Sequence, residues 1–209
     1  MTERNDTWAD ALVGLSNCFR HPDRDVRDVL REEPGALVEL LERVGVDPDD
    51  PPSVSGRDLT EDYEALFGAF ATPFAPPAAS PYKEWYGDRS GLMGGPPASA
   101  MARRYEAIEA TVPESYPPDH VALQLEYASL LAEASEWDEL AAFVETELDW
   151  IDAFAVVVEE AAADAPLQRW CVDQLVATVE RLREELDVTG PDHERVEEMA
   201  DRARTHSGG

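Results

Sequence analysis

Apolar side chains recur at helical spacing along most of the chain. The first such stretch stops before Pro22, and the second follows Asp58, which with Glu61 resembles the capping box that begins a helix. The two apolar stripes consist of Trp8, Leu12, Leu15 and Phe19, and of Leu59, Tyr63, Leu66, Phe67 and Phe70. Because no stretch shows the alternation of apolar and polar residues that is typical of strands, the pattern predicts an all-α protein.

Prolines and apolar runs predict the remaining helices. Pro34 separates two short helices, at 25–33 and 35–45, and a proline opens the helix in the stretch PASAMARRYEAIEA. After residue 118 nearly all of the chain has helical periodicity, and helices are expected at roughly 119–134, 136–148, 150–163, 166–187 and 192–204. We therefore expect a single helical-bundle domain of about eight or nine helices over residues 1–204, followed by a frayed tail at 205–209.

Residues 71–99 depart from this pattern, because they are rich in proline and glycine, which disfavour a regular helix. The segment is nevertheless too apolar for a disordered linker. Its large apolar residues are Phe74, Tyr82, Trp85, Tyr86, Leu92 and Met93. A long ordered loop that carries aromatic side chains is often functional. The alternative is that these rings fix the loop to the core.

The chain is strongly acidic. Asp and Glu number 45 against 17 Lys and Arg, which gives a net charge of −28, and Lys83 is the single lysine. This composition indicates a halophilic protein from a very salty cytoplasm, where a Debye length of about 3 Å in molar salt screens the repulsion between carboxylates. The charge argues against nucleic acid as a partner, because phosphates would be repelled, and leaves a cationic peptide open.

Metal binding and membrane insertion find no support in the sequence. Cys18 and Cys171 are far apart, and the four histidines, at positions 21, 120, 193 and 206, form no ligand cluster. The sequence has no run of 18 apolar residues, and its N-terminus does not resemble an export signal. We therefore expect a cytoplasmic protein without a metal, a cofactor or a stable membrane insertion.

The triplet Pro-Asp-His occurs twice, each time ahead of a predicted helix. Asp119 and Asp192 are both expected to be helix N-caps, since Asp is favoured there and is stabilised by the helix dipole. The first copy opens the apolar stretch VALQLEYASLLAEA, which is typical of a core helix, and puts His120 where the dipole lowers the pKa of its ring. The alternative role is chemistry, but the sequence places no nucleophile or third partner beside this pair, so a catalytic triad is not supported.

Three stretches carry a further signal, in the order DYEALFGAF at 62–70, SPYKEWYGDRSGLMGGP at 80–96 and PPDHVALQLEYASLLAE at 117–133, and a weaker fourth begins at ELDW. Taken together they resemble the TorD/DmsD/NarJ-type chaperones, which are cytoplasmic maturation factors for molybdenum-cofactor oxidoreductases. The resemblance spans roughly residues 8–187. The chain departs from the family where it has Tyr82 and Tyr86 in place of tryptophans, and where no histidine precedes Trp150.

The resemblance implies an all-α chaperone that is not an enzyme. Such a chaperone binds the twin-arginine leader or the N-terminal region of a molybdopterin oxidoreductase catalytic subunit, of dimethyl sulfoxide, trimethylamine N-oxide or nitrate reductase type. It assists cofactor insertion and prevents premature export. Asp119 and His120 would line the groove for this peptide, and Gly94 would form a turn that lets the backbone approach. The apolar wall of the groove would consist of Leu66, Phe67, Tyr82 and Tyr86.

Three other functions stay open at this point. The first is a chaperone for a nitrate-reductase-type subunit that is not exported, and the second is a helical scaffold protein that binds no leader. The third is a small hydrolase that uses His120 with acids such as Glu126, which the scarcity of histidines disfavours. We expect a monomer or, through exchange across the proline-rich loop, a swapped dimer.

Overall fold

The computed structural model describes residues 2–21, 34–68, 71, 74–85 and 93–206. In these ranges the chain forms nine α-helices and no strand, which confirms the predicted all-α class. An isolated antiparallel bridge joins Ala78 to His120. The short helix predicted at 25–33 lies outside the described residues, as do Phe70, Leu92 and the end of the tail at 207–209.

The helices are α1 (Thr2–Cys18), α2 (Pro34–Arg43), α3 (Leu59–Phe67), α4 (Gly95–Ala107), α5 (Val121–Glu133), α6 (Trp137–Glu147), α7 (Ile151–Glu160), α8 (Pro166–Leu186) and α9 (His193–His206). The five helices expected after residue 118 are all present, and their ends lie within three residues of the prediction. The last helix continues through His206, so Thr205 and His206 are helical and do not belong to a frayed tail. The domain boundaries at 1 and 204 stay a prediction.

Helix α5 forms the centre of the core, as its apolar sequence predicts. Nine of its thirteen residues are buried, so the helix is covered on several faces, and α1 packs along it more extensively than any other pair of described helices. A helix covered in this way needs internal partners for its polar side chains. Gln124 has one, because its Oε1 accepts a hydrogen bond from Trp150 Nε1 at 3.0 Å.

Tyr82 fixes the proline-rich loop to the core. Its ring is fully buried and stacks on Trp150 with the centroids 5.1 Å apart, and it meets Phe154 edge-on at 6.1 Å. The ring of Tyr82 therefore anchors the loop to the core, which is the second of the two roles considered for the loop aromatics. The loop ends at α4, whose first turn contains Pro96 and Pro97 as the proline-led sequence predicts.

Helix α3 holds two largely buried aromatic rings beside this loop. Asp58 caps the helix as predicted, since its Oδ1 accepts from the N–H groups of Thr60 at 3.0 Å and Glu61 at 3.3 Å. The cap fixes the direction of α3 and therefore the positions of Tyr63 and Phe67, whose rings meet edge-on at 5.1 Å. These rings belong to the candidate site.

Candidate functional site

His120, and not Asp119, is the N-cap of α5. The imidazole Nδ1 of His120 accepts a hydrogen bond from the Ala122 N–H at 3.2 Å, and its backbone carbonyl accepts from the Gln124 N–H at 3.0 Å. The prediction that Asp119 caps this helix is therefore wrong. A neutral ring whose Nδ1 is an acceptor carries its proton on Nε2, so the geometry assigns this tautomer to His120.

The second Pro-Asp-His triplet begins its helix as predicted. Asp192 Oδ1 accepts from the Arg195 N–H at 2.9 Å, and His193 is the first residue of α9. The same three residues thus begin two helices in registers that differ by one position. The physical reason is burial, because Asp192 is exposed to solvent whereas Asp119 is fully buried and binds another segment of the chain.

The partner of Asp119 is Ser80, at the start of the segment 80–96. Asp119 Oδ2 accepts hydrogen bonds from the Ser80 N–H at 2.7 Å and from the Ser80 hydroxyl, and the Asp119 carbonyl accepts from the Ala79 N–H at 3.1 Å. The other carboxylate oxygen, Oδ1, has no hydrogen-bond partner among the described residues. Burial raises the pKa of Asp119, and the hydrogen bonds from Ser80 counteract that rise.

His120 is held in its neutral form. Burial lowers the pKa of His120 to about 3, and the positive charge of Arg20 acts in the same direction. The direction of this shift is the one predicted, and its causes in the structure are burial and Arg20. The ring of Tyr116 lies over the imidazole with the centroids 4.7 Å apart, which covers one side of it.

A groove of about 230 Å³ opens on the surface at His120. It lies between α3, the loop segment that precedes Ser80, the residues that lead into α5, and Met93. Its lining consists of His21, Tyr63, Phe67, Phe74, Pro76, Pro77, Ala78, Met93, Ser115, Tyr116, Pro117 and His120. None of these described residues is an acid, although the chain has 45 Asp and Glu.

Charged groups lie at the edge of this groove. His21 Nε2 and Glu64 Oε1 are 3.1 Å apart, and both side chains are about half exposed. The backbone N–H of His21 donates to the Tyr116 hydroxyl at 2.8 Å, which joins the end of α1 to the segment before α5. The arrangement is an apolar floor with a polar edge.

The structure places two of the predicted binding residues in the lining, Phe67 and His120. Three others are fully or almost fully buried and do not belong to the lining: Leu66, Tyr82 and Asp119. Gly94 follows Met93 as the N-cap of α4 with φ of +92°, and open space surrounds the position that a Cβ would take there. Tyr86 lies outside the described residues.

Sequence reasoning missed most of the apolar lining. Tyr63 was recognised only as part of a core stripe, and the segment 74–78 only as loop. Prolines and aromatics in 74–78 and 115–117 were a usable signal, because both segments lie directly before stretches that resemble the chaperone family. The contact between two segments about forty residues apart could not be inferred from either one alone.

Within the described ranges no group of three or more His, Cys, Asp or Glu side chains could hold a metal ion. Among the described helices none is both long enough and apolar enough to cross a membrane.

Comparison with known proteins assigns the family. The model of the nitrate reductase delta subunit family matches residues 27–164, about two thirds of the chain, and this region contains α2 to α7 and all of the groove except His21. No curated protein matches the chain. The matched region also contains the three stretches from which the chaperone resemblance was inferred. The chain therefore belongs to the nitrate reductase delta subunit family, within the TorD/NarJ-type chaperones that mature molybdoenzymes.

Proposed function

We propose that this chaperone binds the N-terminal region of a molybdoenzyme catalytic subunit in the groove at His120. The family implies a molybdoenzyme catalytic subunit as the partner. The observation that carries the proposal is a groove of aromatic, prolyl and methionine side chains at the start of α5, within one of the stretches that resemble the chaperone family. A twin-arginine leader held there, in the cytoplasm, would be kept from export until the cofactor has been inserted.

The lining favours an apolar segment of the client over its arginines. Aromatic and prolyl surfaces bury aliphatic side chains well, and no acid in the lining offers an ion pair. The prediction that the carboxylate of Asp119 lines the groove beside the aromatic residues therefore changes, since the acid nearest the lining is Glu64, at the edge beside His21. Arginines of a leader would lie at that exposed edge, where salt screens the attraction.

His120 is the residue that we expect to give the groove a polar contact. Its Nδ1 is occupied by the Ala122 N–H, so the Nε2–H is the donor that the ring has left to offer. Every peptide presents backbone carbonyls that accept such a hydrogen bond. Because burial keeps the ring neutral near pH 7, this contact would not depend on the charge of His120.

A second candidate function is favoured by the name of the matched family. A nitrate-reductase-type catalytic subunit that is not exported would have no twin-arginine leader, and the groove would hold its N-terminal segment only for cofactor insertion. Both candidates use the same groove. They differ in the client sequence that binds.

Peptide binding tests the groove assignment. Fluorescence anisotropy in molar KCl would measure the affinity for labelled N-terminal peptides of molybdoenzyme catalytic subunits, one set with and one set without a twin-arginine leader. Met93→Glu puts a carboxylate into the apolar lining and should weaken binding at least about tenfold, since burial of one apolar side chain contributes about 1.5–3 kcal/mol. Preference for the leader peptides supports the exported client, and equal binding of leaderless peptides supports the second candidate.

The matched control is Ile108→Glu. Ile108 is 44% exposed against 42% for Met93, so the two substitutions remove similar exposed apolar side chains. The two residues are separated by the length of α4, about 20 Å for thirteen residues. An equal loss of affinity in both variants, or unchanged affinity in Met93→Glu, would contradict the groove assignment.

A further inference from the structure

Three separate segments of the chain form the groove beside α3. They are the loop segment 74–78, the turn at Met93 and Gly94, and the residues 115–120 that lead into α5. A groove made of separate segments keeps its shape only if contacts hold them together. These three segments meet at one buried residue, Ser80.

Every polar group of Ser80 is used in this junction. Its N–H and its hydroxyl both donate to Asp119 Oδ2, and its hydroxyl oxygen accepts from the Gly94 N–H at 3.0 Å. Its carbonyl accepts from Trp85 Nε1 at 2.9 Å. Ser80 is fully buried, so no water completes or replaces these contacts at its surface.

The Ser80 hydroxyl joins a third segment to two segments that backbone hydrogen bonds already hold together. The Ala79 N–H donates to the Asp119 carbonyl, and the Val121 N–H donates to the Pro77 carbonyl at 2.8 Å, so backbone bonds alone join two of the segments. The turn at Gly94 is attached to that pair through the Ser80 hydroxyl. A hydroxyl can accept from an N–H while it donates to a carboxylate, which alanine cannot do.

We propose that Ser80, with Asp119 as its acceptor, is the positioning residue of the groove. Its hydroxyl fixes the turn that carries Met93 against the two segments that carry Pro77 and His120. Ser80 itself does not line the groove, so it acts on a bound peptide through Met93. The proposal rests on the groove being the client site, and it also explains why the carboxylate of Asp119 is not free to cap α5.

A double-mutant cycle on peptide affinity separates positioning from general destabilisation. Ser80→Ala and Met93→Ala should each weaken binding of the labelled N-terminal peptides, and their effects should be coupled by at least about threefold, because Met93 contributes little once its turn is loose. Ser129→Ala is the matched control, since Ser129 is also buried and, among the described residues, its hydroxyl donates within α5, to the Glu126 carbonyl at 2.7 Å. Its combination with Met93→Ala should be additive.

Hydrogen exchange of the Gly94 amide gives a readout that needs no peptide. Ser80→Ala should accelerate exchange of this amide at least about tenfold relative to amides inside α5, because the Ser80 hydroxyl that accepts from it is lost. If Ser80→Ala does not fold, Ser80→Cys replaces it, since a thiol is a much weaker donor and acceptor than a hydroxyl, and the same coupling is expected.

The outcomes are distinguishable. If the wild type binds the peptides but the effects of Ser80→Ala and Met93→Ala are additive, the positioning role alone is overturned. An unchanged exchange rate of the Gly94 amide in Ser80→Ala would overturn it as well. A wild-type protein that binds none of the peptides would overturn the proposed function, and the positioning role with it.

Discussion

The buried His120 should make the stability of the protein fall with acidity by a measurable amount. Its pKa is lowered to about 3 in the folded protein, against an ordinary value of 6.5. Between these two values the unfolded chain binds a proton that the folded chain does not bind. The contribution of His120 to stability is therefore complete above about pH 6.5 and is lost progressively as the pH falls towards 3.

The size of the effect follows from the two pKa values. The slope reaches about 1.4 kcal/mol per pH unit, so His120 should lower the free energy of unfolding by about 2 kcal/mol between about pH 7.5 and 5. Asp119 acts in the opposite direction, because a raised pKa means that the cost of burying its charge is relieved as the pH falls through that pKa. Comparing variants that all retain Asp119 removes its contribution from the difference.

Urea unfolding of the wild type and His120→Asn measures this difference. Asn is among the favoured N-cap residues, so the variant keeps a capping side chain and lacks only the titrating ring. In about 2 M KCl, which screens the acidic surface, the stability of the wild type should fall by about 2 kcal/mol relative to the variant over that pH range. Ser129→Ala, a non-titrating change in the same helix, should run parallel to the wild type. Parallel curves for the wild type and His120→Asn would refute the reasoning.

Two further predictions concern the glycine turn and the surface charge. Gly94 and Gly95 both have positive φ, +92° and +65°, so alanine at either position costs about 1–3 kcal/mol of backbone strain. A Cβ on Gly95 would in addition lie 2.8 Å from the Trp85 ring, whereas one on Gly94 meets open space, so Gly95→Ala should destabilise the protein more than Gly94→Ala. Equal losses of unfolding free energy would contradict this. The net charge of −28 predicts that Tm rises as KCl is increased from about 0.2 to 2 M, and a constant or falling Tm would count against a salt-adapted surface.

The helices could be predicted from the sequence because burial of a helix face places apolar residues at helical spacing. Helix α5 is apolar on several faces and lies in the centre of the core, and the ends of α8 lie within one residue of the 166–187 that its periodicity predicts. The register at the first Pro-Asp-His triplet could not be predicted in this way. Capping preference favours Asp119, but the preference of an isolated helix is overridden when Ser80 binds its carboxylate.

The binding residues were predicted less well, for a related reason. An apolar stripe on a helix shows which side chains avoid water, but it does not distinguish core from groove. Leu66 and Phe67 are neighbours in one stripe, and only Phe67 belongs to the lining. Tyr82 resembled a binding aromatic and packs on Trp150 instead. Which rings reach the groove depends on contacts between distant segments, and no local pattern contains that information.

Stability alone does not explain the residues beneath the groove. Burying the carboxylate of Asp119 with one oxygen unpartnered costs free energy, and no cation pairs with it among the described residues. The exposed Asp192 begins its helix without that cost, so the fold does not require a buried acid to start a helix. Departures of this kind are expected at functional sites. The free-energy cost of burying Asp119 is explained if the Asp119–Ser80 junction must keep the groove in one shape for a client peptide. It is left without an explanation if the groove is a by-product of packing.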